Sequence, residues 1–90
     1  MSECCEICGR PIEHIHHLVY GRGLRPLADA DNLCIGLCAD CHSQIHENGV
    51  AGQLSKMLGQ MMYEYDRIGS DEGKELVRRE FRKRYGRSWL

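Results

Sequence analysis

The stretch Leu37-Cys38-Ala39-Asp40-Cys41-His42-Ser43-Gln44-Ile45-His46, residues 37–46, carries two kinds of metal ligand in ten positions. Cys38 and Cys41 form a C-x-x-C pair, which can grip one ion from a tight turn. His42 and His46 stand four residues apart, so a helix here puts both rings on one face. A second pair, Cys5-Glu6-Ile7-Cys8, lies upstream across a hairpin-sized segment. Four thiolates in tetrahedral array make a structural zinc site, and Gly9 after Cys8 suits the turn in which backbone amides face sulfur. Cys5, Cys8, Cys38 and Cys41 are therefore the expected zinc ligands. Cys4 is a poorer partner for Cys8 because the spacing becomes C-x-x-x-C, and Cys34 falls in an apolar run, so both are expected off the metal. The competing reading of these pairs is buried free thiols or a redox dithiol.

A chain of 90 residues supports one core. Domains this short often need a staple, and a metal is the expected one. No charged-then-apolar leader follows Met1, and no apolar run approaches the roughly 20 residues that span a bilayer. The expectation is a cytoplasmic protein without a membrane partner, whose cysteines ligate metal rather than form disulfides. The formal net charge is −1, which favours no partner, but Lys74 to Arg87 holds seven basic residues against two acids. That basic patch is either a solvated helix face with internal ion pairs or a surface for a polyanion.

Composition changes near Gly49, after which no cysteine or histidine occurs. Residues 14–20 (HIHHLVY) read as a strand, 21–31 as a loop marked by Gly21, Gly23 and Pro26, and 32–37 (NLCIGL) as a second strand. The short helix that follows should end at Asn48-Gly49, where glycine can take the left-handed conformation. Leu54, Leu58, Met61, Tyr65 and Ile68 recur at helical steps, predicting a helix over about 51–67 with that face in the core and Met57, Met61 and Met62 as fillers. Ser70 with Asp71 and Glu72 suits the start of a last helix, on which Val77, Phe81 and Tyr85 form an apolar stripe extended by Trp89. The fold class is small α+β: a zinc-stapled hairpin and helix over 1–49, then two C-terminal helices over 50–90 packed on the same domain.

His16 and His17 are adjacent in the first strand, and zinc should bring that strand beside His42 and His46. In this pattern the chain resembles the HNH endonuclease family. The resemblance covers roughly residues 4–48: CEIC, then HH eight and nine positions after Cys8, then DNL, then LCADCH followed by His46. It implies a hairpin and a helix around one catalytic metal, buttressed by a four-cysteine zinc. By the same resemblance His16, His42 and His46 hold the catalytic ion, His17 is the general base that activates water, and Asn32 orients that base. His14 has no matched role. Small stand-alone proteins of this kind occur in phages and mobile elements.

The implied activity is metal-dependent hydrolysis of phosphodiester bonds in nucleic acid, with DNA the expected substrate. The catalytic divalent cation would be Zn2+, Ni2+ or Mn2+, with Mg2+ a poorer fit to nitrogen donors. The main alternative is a non-catalytic zinc-stabilised nucleic-acid-binding module, and a zinc adaptor for a protein partner is a third. Asn32 stands six residues before Cys38 where the family pattern has five, which a β-bulge near Gly36 would absorb; otherwise Asn32 is a turn residue. Arg22 and Arg25 lie near the expected site, and Arg78, Arg82 and Lys83 on the last helix, so these five are the candidate phosphate contacts.

Overall fold

The computed structural model describes residues 4–68 and 73–90. Six elements follow in order: β1 (His14–His17), α1 (Arg25–Ala30), β2 (Cys34–Leu37), α2 (Ala39–Glu47), α3 (Gly49–Arg67) and α4 (Gly73–Tyr85). The two strands pair antiparallel with His14 opposite Leu37 and His17 opposite Cys34. The class is α+β, a hairpin with four helices among the described residues. No described helix is long and apolar enough to cross a membrane. The N-cap expected at Ser70, Asp71 and Glu72 lies outside the described residues.

Both strands are shorter than their apolar runs. After His17 the chain leaves the ladder because Leu18 and Val19 turn into the core, with one further backbone bond from Leu18 N–H to the Leu33 carbonyl at 2.8 Å. The expected loop 21–31 contains α1. Pro26 in its first turn has the backbone angle a helix start needs, and buried Ala28 with Leu24 and Leu27 anchors it to the core. Asn32 closes that helix in the left-handed region at φ 59°. The hairpin register runs unbroken through Gly36, so the bulge expected there is absent.

The junction of α2 and α3 also differs from expectation. Asn48, extended at φ −105° and ψ 115°, ends α2 and begins α3, and its side chain accepts hydrogen bonds from the Val50 and Ala51 amides at 2.9 and 3.1 Å. Gly49 is the first residue of α3 rather than a left-handed cap. A side-chain cap of this kind satisfies amides that a helix start otherwise leaves open.

The largest correction concerns α3. The stripe Leu54, Leu58, Met61 and Tyr65 is exposed, Tyr65 by 83%, and only Ile68 packs against the core. The buried face is Gly52, Ser55, Gly59, Gln60, Tyr63 and Glu64. Close approach explains the inversion. A Cβ on Gly59 would stand 2.6 Å from Val19 Cγ2, so α3 lies against residues 18–20 along a seam of small side chains that larger ones would hold off.

Two buried clusters result. One holds Cys5, Leu37, Cys38, Cys41 and Ile45 beside the hairpin. The other joins Val19, Ala28 and Leu33 to Tyr63, Val77, Phe81, Tyr85 and Trp89, so the stripe expected on α4 is buried. Phe81 stacks on Tyr85 with centroids 4.4 Å apart and meets Tyr63 and Trp89 edge-on. Polar side chains lock this second cluster. Gln60 accepts from the Trp89 amide at 2.6 Å and donates to Glu64 and Ser88, and Glu64 pairs with Arg78 at 3.0 Å. Asp31 accepts from Arg84 and Tyr85, both at 2.6 Å, which ties α1 to α4. These bonds outweigh the effect of burial and hold the Asp31 carboxyl below its usual range.

Candidate metal centres

The first C-x-x-C turn is shaped by its backbone. Gly9 at φ 80° permits the turn, the Gly9 amide donates to the Cys5 carbonyl at 3.0 Å, and the Glu6 amide donates to the Gly36 carbonyl at 3.1 Å. The second pair opens α2, where the Cys41 amide donates to Cys38 Sγ at 3.5 Å. An exposed Arg10–Asp40 ion pair at 3.0 Å links the two turns. Cys5, Cys8, Cys38 and Cys41 converge with their sulfurs within 4.8 Å of one another, and Cys4 and Cys34 are outside this group.

The geometry of the group matches one ion. Cys8 Sγ and Cys38 Sγ are 3.6 Å apart. Two sulfurs each about 2.3 Å from a tetrahedral zinc lie roughly 3.8 Å from each other. The electrostatics agree. Burial opposes ionisation of Cys5, but backbone hydrogen bonds from Cys38, Cys8 and Ile7 outweigh it and bring its pKa to about 6. Cys41 is pushed up to about 12, mainly by its hydrogen bond with Cys38 and then by burial. One thiolate is stabilised and another resisted, and a cation would offset the charge of such a group.

The second group comprises His16, His42 and His46, again with one ligand atom from each within 4.8 Å of the others. β1 supplies His16 and α2 supplies the other two. His42 Nε2 and His46 Nε2 are 3.2 Å apart, and two ring nitrogens about 2.0 Å from one tetrahedral ion lie roughly 3.3 Å apart. His16 is 1% exposed, and burial followed by the neighbouring His42 and His46 lowers its pKa to about 4. Burial first, then His46, lowers His42 as well. Both rings are therefore neutral near neutral pH, the form that binds metal.

Two side chains that sequence reasoning missed orient these rings. Ser55 on α3 has one hydroxyl proton and gives it to the Leu18 carbonyl at 2.8 Å, so its oxygen accepts from His16 Nε2, also at 2.8 Å. That fixes the proton on Nε2 and leaves Nδ1 as the donor to an ion. His14 Nδ1 is 2.9 Å from His42 Nδ1, which leaves His42 Nε2 on the side of His46. The i, i+2 spacing of His14 and His16 was the available signal for His14, since alternate strand residues share a face. For Ser55, 39 positions from His16, the sequence offers none.

A cavity of about 160 Å³ opens on this group, lined by Ile15, His16, His17, Tyr20, Arg25, His42 and His46. His17 thus reaches the same cavity as His16 although it is the adjacent strand residue. Its Nε2 lies 3.6 Å from Asp29 Oδ1. Asn32 is exposed, and its side chain makes no hydrogen bond among the described residues. Arg25 lines the cavity, and Arg22 is exposed in the turn before α1. Arg78 is committed to the buried Glu64, whereas Arg82 and Lys83 face solvent.

No protein-family model matches the chain, and no curated protein or solved structure does either.

Proposed function

We propose that the chain is a metal-dependent endonuclease of the HNH type, hydrolysing phosphodiester bonds in nucleic acid, with DNA as the substrate. The observation that carries this reading is the convergence of His16, His42 and His46 beside His17 and Arg25 on one cavity. A four-cysteine zinc accounts for the folding of the hairpin against α2 but gives no reason for those histidines.

In this scheme Cys5, Cys8, Cys38 and Cys41 hold a structural zinc, and His16, His42 and His46 hold a second divalent cation. That cation supplies charge neutralisation at the scissile phosphate and at its leaving oxygen. Zinc, nickel or manganese suits the three nitrogen donors better than magnesium. His17 is the general base. Its Nε2 faces Asp29, so Nδ1 is the nitrogen that takes the proton from water. Asp29 then orients the base, the role that the resemblance gives to Asn32. Arg25 lies where it can meet a phosphate oxygen, while Arg82 and Lys83 extend a basic surface along α4.

The test is incubation of zinc-loaded protein, with and without added manganese or nickel, with plasmid and with single-stranded DNA and RNA. Cleavage that depends on the added ion is expected. His17→Ala should abolish it while both ions and the fold remain, and His46→Ala should lose the second ion. Cleavage by His17→Ala at the wild-type rate would falsify the mechanism. Salt-dependent binding without cleavage under any ion would leave the non-catalytic zinc-stabilised nucleic-acid-binding module.

A further inference from the structure

His17 has a second set of neighbours. His17 and Cys34 are register partners across the hairpin, so their side chains leave the sheet on the same face. Asp29 reaches the same place from α1, which is fixed by buried Ala28 and by the bond from the Leu33 amide to the Ala28 carbonyl at 2.8 Å. One ligand atom from each of His17, Asp29 and Cys34 lies within 4.8 Å of the other two. Three separate elements thus aim an imidazole nitrogen, a carboxylate oxygen and a sulfur at one point. An ion pair between His17 and Asp29 would explain the first two and leave the sulfur unexplained.

Nitrogen, oxygen and sulfur donors together are a zinc ligand set, and three protein ligands with an open fourth position are typical of zinc sites that exchange with solvent. His17 and Cys34 are partly buried while Asp29 is exposed, so the open side faces water. A carboxylate and a thiolate carry two negative charges, which a divalent cation offsets.

We propose that His17, Asp29 and Cys34 form a third cation site, for zinc or a similarly thiophilic divalent ion, separate from the four-cysteine and three-histidine groups. Resting on the endonuclease reading, this site is inhibitory. Binding forms bonds from the ion to His17 Nε2, to an Asp29 oxygen and to Cys34 sulfur, and the thiol proton leaves to solvent. No oxidation is involved. With Nε2 ligated, the remaining proton of the neutral ring is on Nδ1, and no nitrogen is left to take a proton from water. Excess zinc therefore silences the base that the cavity presents.

The experiment counts zinc bound at equilibrium dialysis by wild type, Cys34→Ser, Asp29→Asn and His42→Ala, and follows by absorption Co2+ added to proteins that hold a single equivalent of zinc. Wild type should bind one more equivalent than Cys34→Ser or Asp29→Asn, and His42→Ala should keep that equivalent while losing a different one. Added cobalt should give a thiolate-to-cobalt charge-transfer band in wild type that Cys34→Ser loses. Equal zinc counts in wild type and both variants, or an unchanged cobalt band in Cys34→Ser, would overturn the site. Cleavage is read separately: excess zinc should suppress it in wild type and not in Cys34→Ser. Equal suppression in both would overturn the inhibitory role. If no protein cleaves under any condition the endonuclease reading fails, while the zinc count and cobalt band still decide the site.

Discussion

Around Leu37 and Ile45 the buried side chains are mostly cysteines, whereas around Phe81 they are aromatic and aliphatic groups from α1, α3, α4 and the tail. The first cluster is built largely of thiols that could hold a metal ion, with Tyr20, Ile35 and Ala51 packed against it. The second closes on itself: three rings surround Phe81, and Gln60, Glu64 and Asp31 satisfy the polar groups at its edges. Within 90 residues the chain therefore has two buried clusters of different make-up, one rich in cysteines that could hold a metal and one rich in aromatic rings.

Metal removal should separate the two most sharply. Structural zinc contributes about 10–16 kcal/mol in small zinc domains. Chelation, or Cys38→Ser, is expected to erase amide protection in β2 and α2 before α3 and α4 exchange. Hydrogen exchange measures this, and simultaneous loss in all four elements would merge the clusters into one unit. Phe81→Ala attacks the other cluster and should cost about 3–5 kcal/mol by denaturant titration. The zinc content should stay at its wild-type value, because no cysteine ligand touches Phe81; loss of zinc in this variant would deny that the clusters are independent.

Ser55→Ala probes the link between the halves. It removes the acceptor of the His16 ring proton, and the loss of such an orienting partner typically weakens metal binding about 10–100-fold. Calorimetric titration of the three-histidine site with Ni2+ should show that drop, with the cysteine site unaffected. Unchanged nickel affinity would reduce Ser55 to a packing residue.

A fourth test uses pH. With no ion on the three-histidine group, His16 titrates at about 4 in the folded chain against 6.5 for a free histidine. Because the folded value is depressed, its contribution to stability is complete above about 6.5, declines as only the unfolded chain takes up the proton, and is gone below about 4. Replacement by glutamine should flatten the acid limb of stability between those values, and a limb of undiminished slope would assign the pH dependence elsewhere.

The smallest effect belongs to the two faces of α3. Leu58→Gln, on the exposed stripe, should change stability by about 0.5 kcal/mol or less. Its neighbour Gly59→Ala should cost about 1–3 kcal/mol, because the added methyl meets Val19 and Leu18. Equal costs would mean that the buried and exposed faces are not energetically different.

The sequence made the cysteine group legible because two C-x-x-C pairs carry their own local geometry, and His42 with His46 was legible because helical spacing alone puts them together. The stripe Val77, Phe81 and Tyr85 was legible for the same reason, as its large side chains have no other surface to cover. Periodicity misled on α3. Leu54, Leu58, Met61 and Tyr65 have the right spacing for a core face, but spacing records only that a helix has an apolar side, not that the protein turns that side inward. Glycine and serine on the opposite side allowed a closer approach to residues 18–20, and hydropathy gives such residues little weight.

Residue spacing by itself determined the two C-x-x-C turns, the face that His42 and His46 share, and the aromatic stripe of α4, all of which depend on neighbours within a few positions. Tertiary structure alone decided that Ser55 holds the His16 proton, that Asp29 rather than Asn32 faces the His17 ring, and that Arg78 is spent on Glu64. Each of those is a contact between residues on different elements. Its existence depends on how closely the elements pack and on which buried charge needs a partner, and neither is fixed until the chain has closed on itself.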